Sequence, residues 1–467
     1  MKLSFHGAAR NVTGSKHLIT LENGTKILLD CGMFQGLGQD TDELNNHFGF
    51  NPAEISILLL SHAHIDHSGL IPKLIKEGFA GKIICTAATR DLTEILLHDS
   101  AEIQTYEIDY INRKRSARNL PPYEPLYTTE DVIESLKLFE TINYNEAVQV
   151  TDDVEVIFNN AGHLVGSASI HLNIKENGKT TSINFSGDVG RYRSVLLAPP
   201  EEFPQADYII IESTYGDTQH DMFSSNIESL LKWINKTCIE KEGKLIIPAF
   251  SVGRTQEVLY ALNQLSLENR LPDINYFVDS PLSLKATAVI KKYTDNFNER
   301  LQQVLKVDKD PFDFPGLKYI ESVEDSKKLT EYNKPCVIIS ASGTADAGRV
   351  RHHIFSCIDG ANHTILMVGY CEAYSLGGQL LNNVKEVELF GDSCTVIAEI
   401  GQMRTMSAHG DSDDLCQFLN CQDAEKVKSV FLVHGEYDVQ KTFATKLERK
   451  GFNRIEIPEQ HEEFELV

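Results

Sequence analysis

The sequence predicts an α/β protein of two domains, and three observations carry that reading. Its 467 residues exceed what one ordinary hydrophobic core organises, so two domains, or one large domain with an insertion, are expected. Short β-branched runs alternate with amphipathic segments along almost the whole chain, the pattern of sheets covered by helices. The composition, 42% hydrophobic and 24% charged, is that of a globular chain rather than a disordered one.

In chain order, strands are predicted at "TKILLDCG", "ISILLLSH", "KIICT", "VEVIFNNAGH", "TSINFSGD", "YIIIEST", "KLIIPAF", "NYFVDS", "CVIISAS", "TILMVGY" and "SVFLVHG". Each is a short apolar run closed by Gly, Asp, Asn or Ser. Segments 223–241, 254–267 and 436–450 repeat apolar residues at helical spacing. "NRKRSARNLPPYEP" at 112–125 reads as a solvated helix end followed by a Pro-rich turn. Four strands end on chemistry-bearing residues: His62, His163, Asp188 and His434. In α/β sheets, loops beyond strand ends carry the ligand-binding groups, so these four can converge although they lie far apart in sequence.

Lys and Arg number 44 and Asp and Glu 67, a net charge of −23. That balance disfavours a non-specific nucleic-acid coat, because phosphate binding needs a basic surface, but it leaves room for a local basic groove. The nine cysteines are scattered without a CxxC pair and read as small buried residues of a reducing compartment. "MKLSFHGAAR" lacks the apolar segment of a signal peptide, and no stretch reaches the roughly 20 apolar residues that span a bilayer. A cytoplasmic, membrane-free protein is expected.

"SHAHIDHSGL" at 61–70 crowds three histidines and an aspartate into one turn. A histidine taken alone ligates nothing in most proteins. Here, His62 and His64 stand side by side on an extended turn and can grip one ion. Asp66 and His67 open the next helix and can grip a second. Imidazole and carboxylate ligands suit Zn²⁺, with Mn²⁺ and Fe²⁺ as alternatives. Further ligands come from "AGHLVGSA", "FSGDVG" and "LVHGEYD", whose glycines permit close backbone approach. His62, His64 and His163 are therefore expected on one ion, Asp66, His67 and His434 on the other, with Asp188 between them. Two such cations activate a shared water and clamp both oxygens of a phosphoester.

"SHAHIDHSG", "AGHLVGSA" and "SGDVG" resemble the successive motifs of the metallo-β-lactamase superfamily. "IIIESTYGD", "IIPAFSVGRTQEVLYAL", "YFVDSPL", "SASG", "MSAHGD" and "LVHGE" narrow the resemblance to β-CASP nucleases. The resemblance implies a metallo-β-lactamase αββα sandwich with an inserted β-CASP α/β domain and two Zn²⁺, or Mn²⁺, at one edge. It implies that Asp30 orients a ligand from behind, that Glu212 is the first β-CASP acid, His409 the second-motif histidine and His434 the third. A histidine at that third position points to RNA rather than DNA.

His409 in "SAHGD" is suited to donate a proton to a departing ribose oxygen, and Glu212 to hold its imidazole and favour the protonated form. Asp66 would also steady the nucleophile. "PAFSVGRTQEVL" puts Ser251, Gly253 and Arg254 at a helix start, where free N–H groups and a cation cradle phosphate. Ser342 with Gly343 in "SASGTADAGRVRHHI", and Ser407 in "MSAHGD", are further expected phosphate contacts; Ala347 replaces a glycine usual in the family. His352 and His353 read as capping or packing residues, and Gly377–Gly378 as a site of tight packing.

The domains are expected at 1–207 and 392–467 for the lactamase-like part and 208–391 for the β-CASP insertion. The expected activity is zinc-dependent hydrolysis of RNA by a metal-bridging hydroxide, leaving 5′-phosphate and 3′-hydroxyl ends. The alternatives are a DNA nuclease of the same superfamily and a hydrolase of small thioesters or lactams; a non-catalytic RNA-binding scaffold ranks last, since every ligand position is filled. RNA is the expected partner, and residues 103–125 form an extension whose cations could touch its backbone. The chain's end soon after its last strand argues against an RNase J-type dimer through a C-terminal domain; a homodimer through other surfaces is compatible with the sequence.

Overall fold

Every apolar run singled out above forms a strand. In this computed structural model the described residues are all but 39, 220–223, 370, 372–373 and 404–406, with side chains left out at 224–226. Phe223 of segment 223–241, Tyr370 of "TILMVGY" and Met406 of "MSAHGD" therefore lie outside them.

The chain divides into two compact units, one of residues 1–192, 198–219 and 409–467, the other of 193–197 and 220–408. In the first, one seven-stranded sheet runs Glu463–Glu465, Lys2–Gly7, Lys16–Thr20, Lys26–Leu29, Ile57–Leu59, Lys82–Thr86, Phe139–Ile142. The other runs Ile455–Glu456, Ser429–Val433, Tyr208–Glu212, Lys179–Phe185, Ala168–Glu176, Val154–Asn160, Ala147–Thr151. Their facing sides share one core, in which Phe5, Ile27 and Leu29 meet Phe158, Ile170 and Phe185. The outer face of the first sheet packs Leu28, Leu58 and Ile83 with Leu74, Leu97 and Ala101 from helices. The outer face of the second packs Ile209, Ile211 and Leu432 with Leu415, Phe443 and Leu447. This is the expected αββα sandwich. Leu58, Leu59 and Leu60 are fully buried, each worth about 1.5–3 kcal/mol, which anchors the strand whose end carries His62.

The second unit is built on a parallel sheet in the order Leu317–Tyr319, Asn275–Asp279, Cys336–Ser340, Lys244–Pro248, Thr364–Met367, Glu399–Gln402. Its central strands Lys244–Pro248, Cys336–Ser340 and Thr364–Met367 are buried at every position, as expected where helices cover both faces of such a sheet. The seams fall at 219/220 and 408/409, later than the 207/208 and 391/392 read from sequence. Strand pairing is the reason. Tyr208–Glu212 lies between Lys179–Phe185 and Ser429–Val433 in the first unit, and Glu399–Gln402 extends the sheet of the second. The short segment 193–197 also belongs to the second unit, held by Asn298, whose backbone N–H donates to Leu196 O and whose side chain donates to Ser194 O.

The helix Ala87–Ser116 ends where the basic run begins its Pro-rich return, and Asn112 pins that return through two hydrogen bonds to the Tyr123 backbone. His353 is buried against Asp279, His352 stacks on Phe390, and a methyl group at Gly377 would meet Met367 Cε at 2.6 Å. No helix among the described residues is long and apolar enough to cross a membrane.

Candidate metal centre and active site

The strand Ile57–Leu59 delivers Ser61 and His62, and the turn that follows carries His64, Asp66 and His67 into the short helix Ile65–Ser68. Val154–Asn160 leads into the loop of His163, Lys179–Phe185 into that of Asp188, and Ser429–Val433 into His434. The loops must approach closely. A methyl group at Gly190 would lie 1.9 Å from Gly162 O, and one at Gly32 would lie 1.6 Å from Asp66 O. Both positions tolerate only glycine.

His62, His64, His163 and Asp188 present ligand atoms to one another, and so do Asp66, His67 and His434. In the first set His64 Nδ1 is 3.2 Å from both His62 Nε2 and His163 Nε2. Asp188 Oδ2 lies 3.4 Å from His62 Nε2 and 3.5 Å from His163 Nε2. Ligands about 2.0–2.1 Å from a tetrahedral zinc sit about 3.3 Å apart, so this donor set has the spacing such an ion requires. In the second set His67 Nε2 is 3.3 Å from His434 Nε2, and His434 Nε2 is 3.4 Å from Asp66 Oδ2. Asp188 Oδ1 is 3.3 Å from His67 Nε2 and receives no hydrogen bond although buried. One carboxylate thus offers an oxygen to each set.

The hydrogen bonds behind the ligands turn their lone pairs inward. Asp30, fully buried, accepts the Ser61 backbone N–H at 2.7 Å and the Ser61 hydroxyl at 2.8 Å, and holds His67 Nδ1 at 2.6 Å. His67 Nδ1–H is thereby committed and Nε2 faces the centre. Ser61 Oγ also meets His62 Nδ1 at 3.1 Å. Thr214 Oγ1 lies 2.9 Å from His434 Nδ1 and 3.0 Å from His434 O. Its hydroxyl donates to the carbonyl and accepts from the ring. Asp30 and His434 both adopt left-handed backbone, φ +58° and +49°, a conformation that costs energy in a non-glycine residue and persists where its surroundings enforce it. Sequence reasoning missed Ser61, Thr214 and Ser167, whose hydroxyl accepts the His163 N–H at 3.1 Å. The available signal was a hydroxyl residue next to a ligand or its strand end.

Burial holds His62 and His163 well below the ordinary imidazole range, which keeps them in the neutral form that binds metal. Burial opposes a charge on His67 too, but Asp188, Asp66 and Asp30 outweigh it and hold this ring well above that range. Negative charge converging on a cage of inward lone pairs is the environment of a cation. The donor set and its spacing fit a metal ion.

Glu212 and His409 stand beside this cage. Glu212 is fully buried, its Oε1 accepts the Val189 N–H at 2.7 Å, and His409 Nδ1 is 3.1 Å from each carboxylate oxygen. The pairing is set by an isolated bridge between Gly190 and His409 and by the Gly410 N–H donating to Val189 O. Asp188, Glu212, His409 and His434 are close enough to form a third ligand set. His409 Nδ1 is, however, held by Glu212, which leaves its Nε2 free. Burial acts against the charge on His409, but Glu212 and then Asp188 overcome it and lift its pKa to about 9.

The expected phosphate contacts Ser251, Gly253, Arg254, Ser342 and Ser407 lie in the second unit. Ser251 Oγ is 3.2 Å from Ser280 Oγ. Gly253 has φ +85° and its N–H donates to Gln256 Oε1. Arg254 is buried and turned onto Glu257 of its own helix. Ser342 Oγ accepts the Ala347 N–H, and Ser407 is buried.

Family models match three stretches: the metallo-beta-lactamase superfamily at 14–237, the Beta-Casp domain at 255–380, and the Zn-dependent metallo-hydrolase RNA specificity domain at 394–458. The chain is 33% identical to Ribonuclease TTHA0252 of Thermus thermophilus, over 93% of each chain. It is 30% identical to an RNase J-like protein of Methanocaldococcus jannaschii, over 95% of this chain and 94% of that one. It is 28% identical to the transcription termination factor FttA of Methanosarcina mazei, over 92% of this chain and 66% of that protein.

Proposed function

The chain belongs to the metallo-β-lactamase superfamily, in the branch that carries an inserted Beta-Casp domain, and from that premise we infer that it is a zinc-dependent ribonuclease. The observation that carries the inference is the seven-residue cage of His62, His64, Asp66, His67, His163, Asp188 and His434 beside the Glu212–His409 pair. RNA as substrate is supported by the ribonuclease relatives and by the match to an RNA specificity domain.

We assign two zinc ions to the cage, Mn²⁺ being the substitute its donors would also accept. His62, His64 and His163 would hold one, Asp66, His67 and His434 the other, and Asp188 would offer an oxygen to each. When bound, such a pair lowers the pKa of a water held at the site and takes up charge on the phosphate oxygens. The protein's own groups do the rest. Asp66, partly exposed, accepts a hydrogen bond from the attacking water and orients it in line with the scissile bond. His409, protonated and held through Nδ1 by Glu212, presents Nε2 to the leaving oxygen and delivers the proton there. Attack on phosphorus with departure of the 3′-oxygen leaves 5′-phosphate and 3′-hydroxyl ends. Ser251, Gly253, Ser342 and Ser407 are the proposed phosphate contacts, which Arg254 would join on leaving Glu257. The nine cysteines are free thiols, which suits a reducing cytoplasm.

Matched single-stranded RNA and DNA of one sequence, incubated with the zinc-loaded protein, test the reading. RNA should be cut to 5′-phosphorylated products, at least tenfold faster than DNA. Intact RNA alongside hydrolysed thioester or lactam would refute it.

A further inference from the structure

Strand Lys244–Pro248 is buried at every position, and Ala249 after it is fully buried, yet Phe250 is 42% exposed. Its ring is not loose. A methyl group at Gly343 would lie 2.6 Å from the ring, and one at Gly369 would lie 3.7 Å from it. One ring face is therefore seated on bare backbone at Gly343, and the Phe250 carbonyl is held by the Thr255 N–H at 3.1 Å and hydroxyl at 2.8 Å. Any side chain at Gly343 would displace it.

A residue next to Phe250 in sequence, and one next to the glycine beneath its ring, carry hydroxyls. Ser251 follows it and meets Ser280 Oγ at 3.2 Å, and Ser342 precedes the glycine beneath it. Ser280 Oγ in turn accepts the Ser283 N–H at 3.1 Å. Gln256 ties the two helices of this corner together, donating to Ser251 O at 3.1 Å and to Thr287 Oγ1 at 2.9 Å. A protein partner buries a contiguous apolar patch. A rigid, exposed aromatic ring with a serine beside it in sequence and another beside its glycine seat instead matches a nucleotide, whose base offers a π-face and whose ribose and phosphate offer hydrogen-bonding oxygens.

Building on the ribonuclease reading, we propose that Phe250 is the base-stacking platform of the RNA site on the Beta-Casp unit, with Ser251, Ser280 and Ser342 taking the ribose-phosphate of the stacked nucleotide. The contact is sequence-tolerant, since every base has a π-face. Phe250 acts on binding rather than on the chemical step.

The test compares wild type with Phe250→Ala, Phe250→Leu and Phe250→Trp, all zinc-loaded, on a single-stranded RNA oligonucleotide and on versions carrying one abasic ribose at each position in turn. Melting temperatures show that the variants are folded. Stacking of one base accounts for about a tenfold change in KM. Phe250→Ala and Phe250→Leu should raise KM for the intact RNA about that much with kcat within twofold, and Phe250→Trp should stay near wild type. In wild type one abasic position should raise KM similarly. In Phe250→Ala that position should cost nothing further. An unchanged KM in Phe250→Leu, or an abasic penalty that persists at full size in Phe250→Ala, overturns the proposal. If wild type fails to cut RNA at all, the ribonuclease reading itself fails, an outcome distinct from either.

Discussion

His409 Nδ1 lies 3.1 Å from both oxygens of the fully buried Glu212 carboxylate, across 197 positions of sequence. The carboxylate does two things for the ring. It fixes the tautomer with Nε2 free, and it is the strongest upward influence on a pKa that burial alone would depress.

The pair dictates a pH signature. If His409 is the proton donor proposed above, its protonated form is the competent one and kcat should fall as pH rises through its pKa. Glu212→Gln removes the main group that raises that pKa, and the alkaline limb of the kcat profile should move to lower pH. His409→Ala should lower kcat by about 10²–10⁴-fold while zinc content is unchanged. Pre-steady-state cleavage measured from pH 6 to 10 checks both.

Thr214 bears on the metal rather than on the proton. Its hydroxyl accepts from His434 Nδ1 and donates to His434 O, in a residue whose backbone is left-handed. Thr214→Val keeps the shape and removes both bonds. It should weaken zinc binding by about 10–100-fold, while Thr214→Ser should restore it. Competition against a chromophoric chelator reads this directly.

In the second unit, Asp279 is fully buried and receives Ser326 Oγ, Arg349 Nη1 and His353 Nε2. Burial alone would raise its pKa, but His353, Ser326 and Arg349 bring it below the ordinary value. A carboxyl whose folded pKa is depressed adds stability above its unfolded pKa, about 3.9, and loses it as pH falls through the folded pKa. Asp279→Asn should cost about 2–4 kcal/mol near neutral pH, because a partly exposed guanidinium and a buried imidazole lose their partner. The gap between variant and wild type should narrow below about pH 4. Denaturant unfolding at several pH values measures it.

How much of this was legible in the sequence follows from range. "SHAHIDHSGL" places four ligand candidates within one turn, so spacing alone locates them. His163, Asp188 and His434 were found because each closes an apolar strand, and parallel strands of one sheet bring their ends together. What was not legible depends on contacts that spacing does not encode. Thr214 and Ser61 are ordinary hydroxyls until strand register sets them behind His434 and Asp30. Arg254 reads as a free cation at a helix start, yet it folds onto Glu257 one turn along. The seams shifted because membership of a strand in a sheet is a pairing property, not a compositional one. Lys16 is fully buried, capping Gly14 O and Gly32 O at 2.8 and 2.7 Å, a placement that its residue type argues against.

The central claim is that Asp188 joins two donor sets into one dinuclear site. Native mass spectrometry of the zinc-loaded protein, with RNA cleavage followed on the same samples, tests it most directly. The account predicts two zinc ions per chain in wild type, loss of at least one in Asp188→Ala, and cleavage that disappears with exhaustive chelation and returns with added zinc. A wild-type chain that binds a single ion, or RNA cleavage undiminished after chelation, would contradict it.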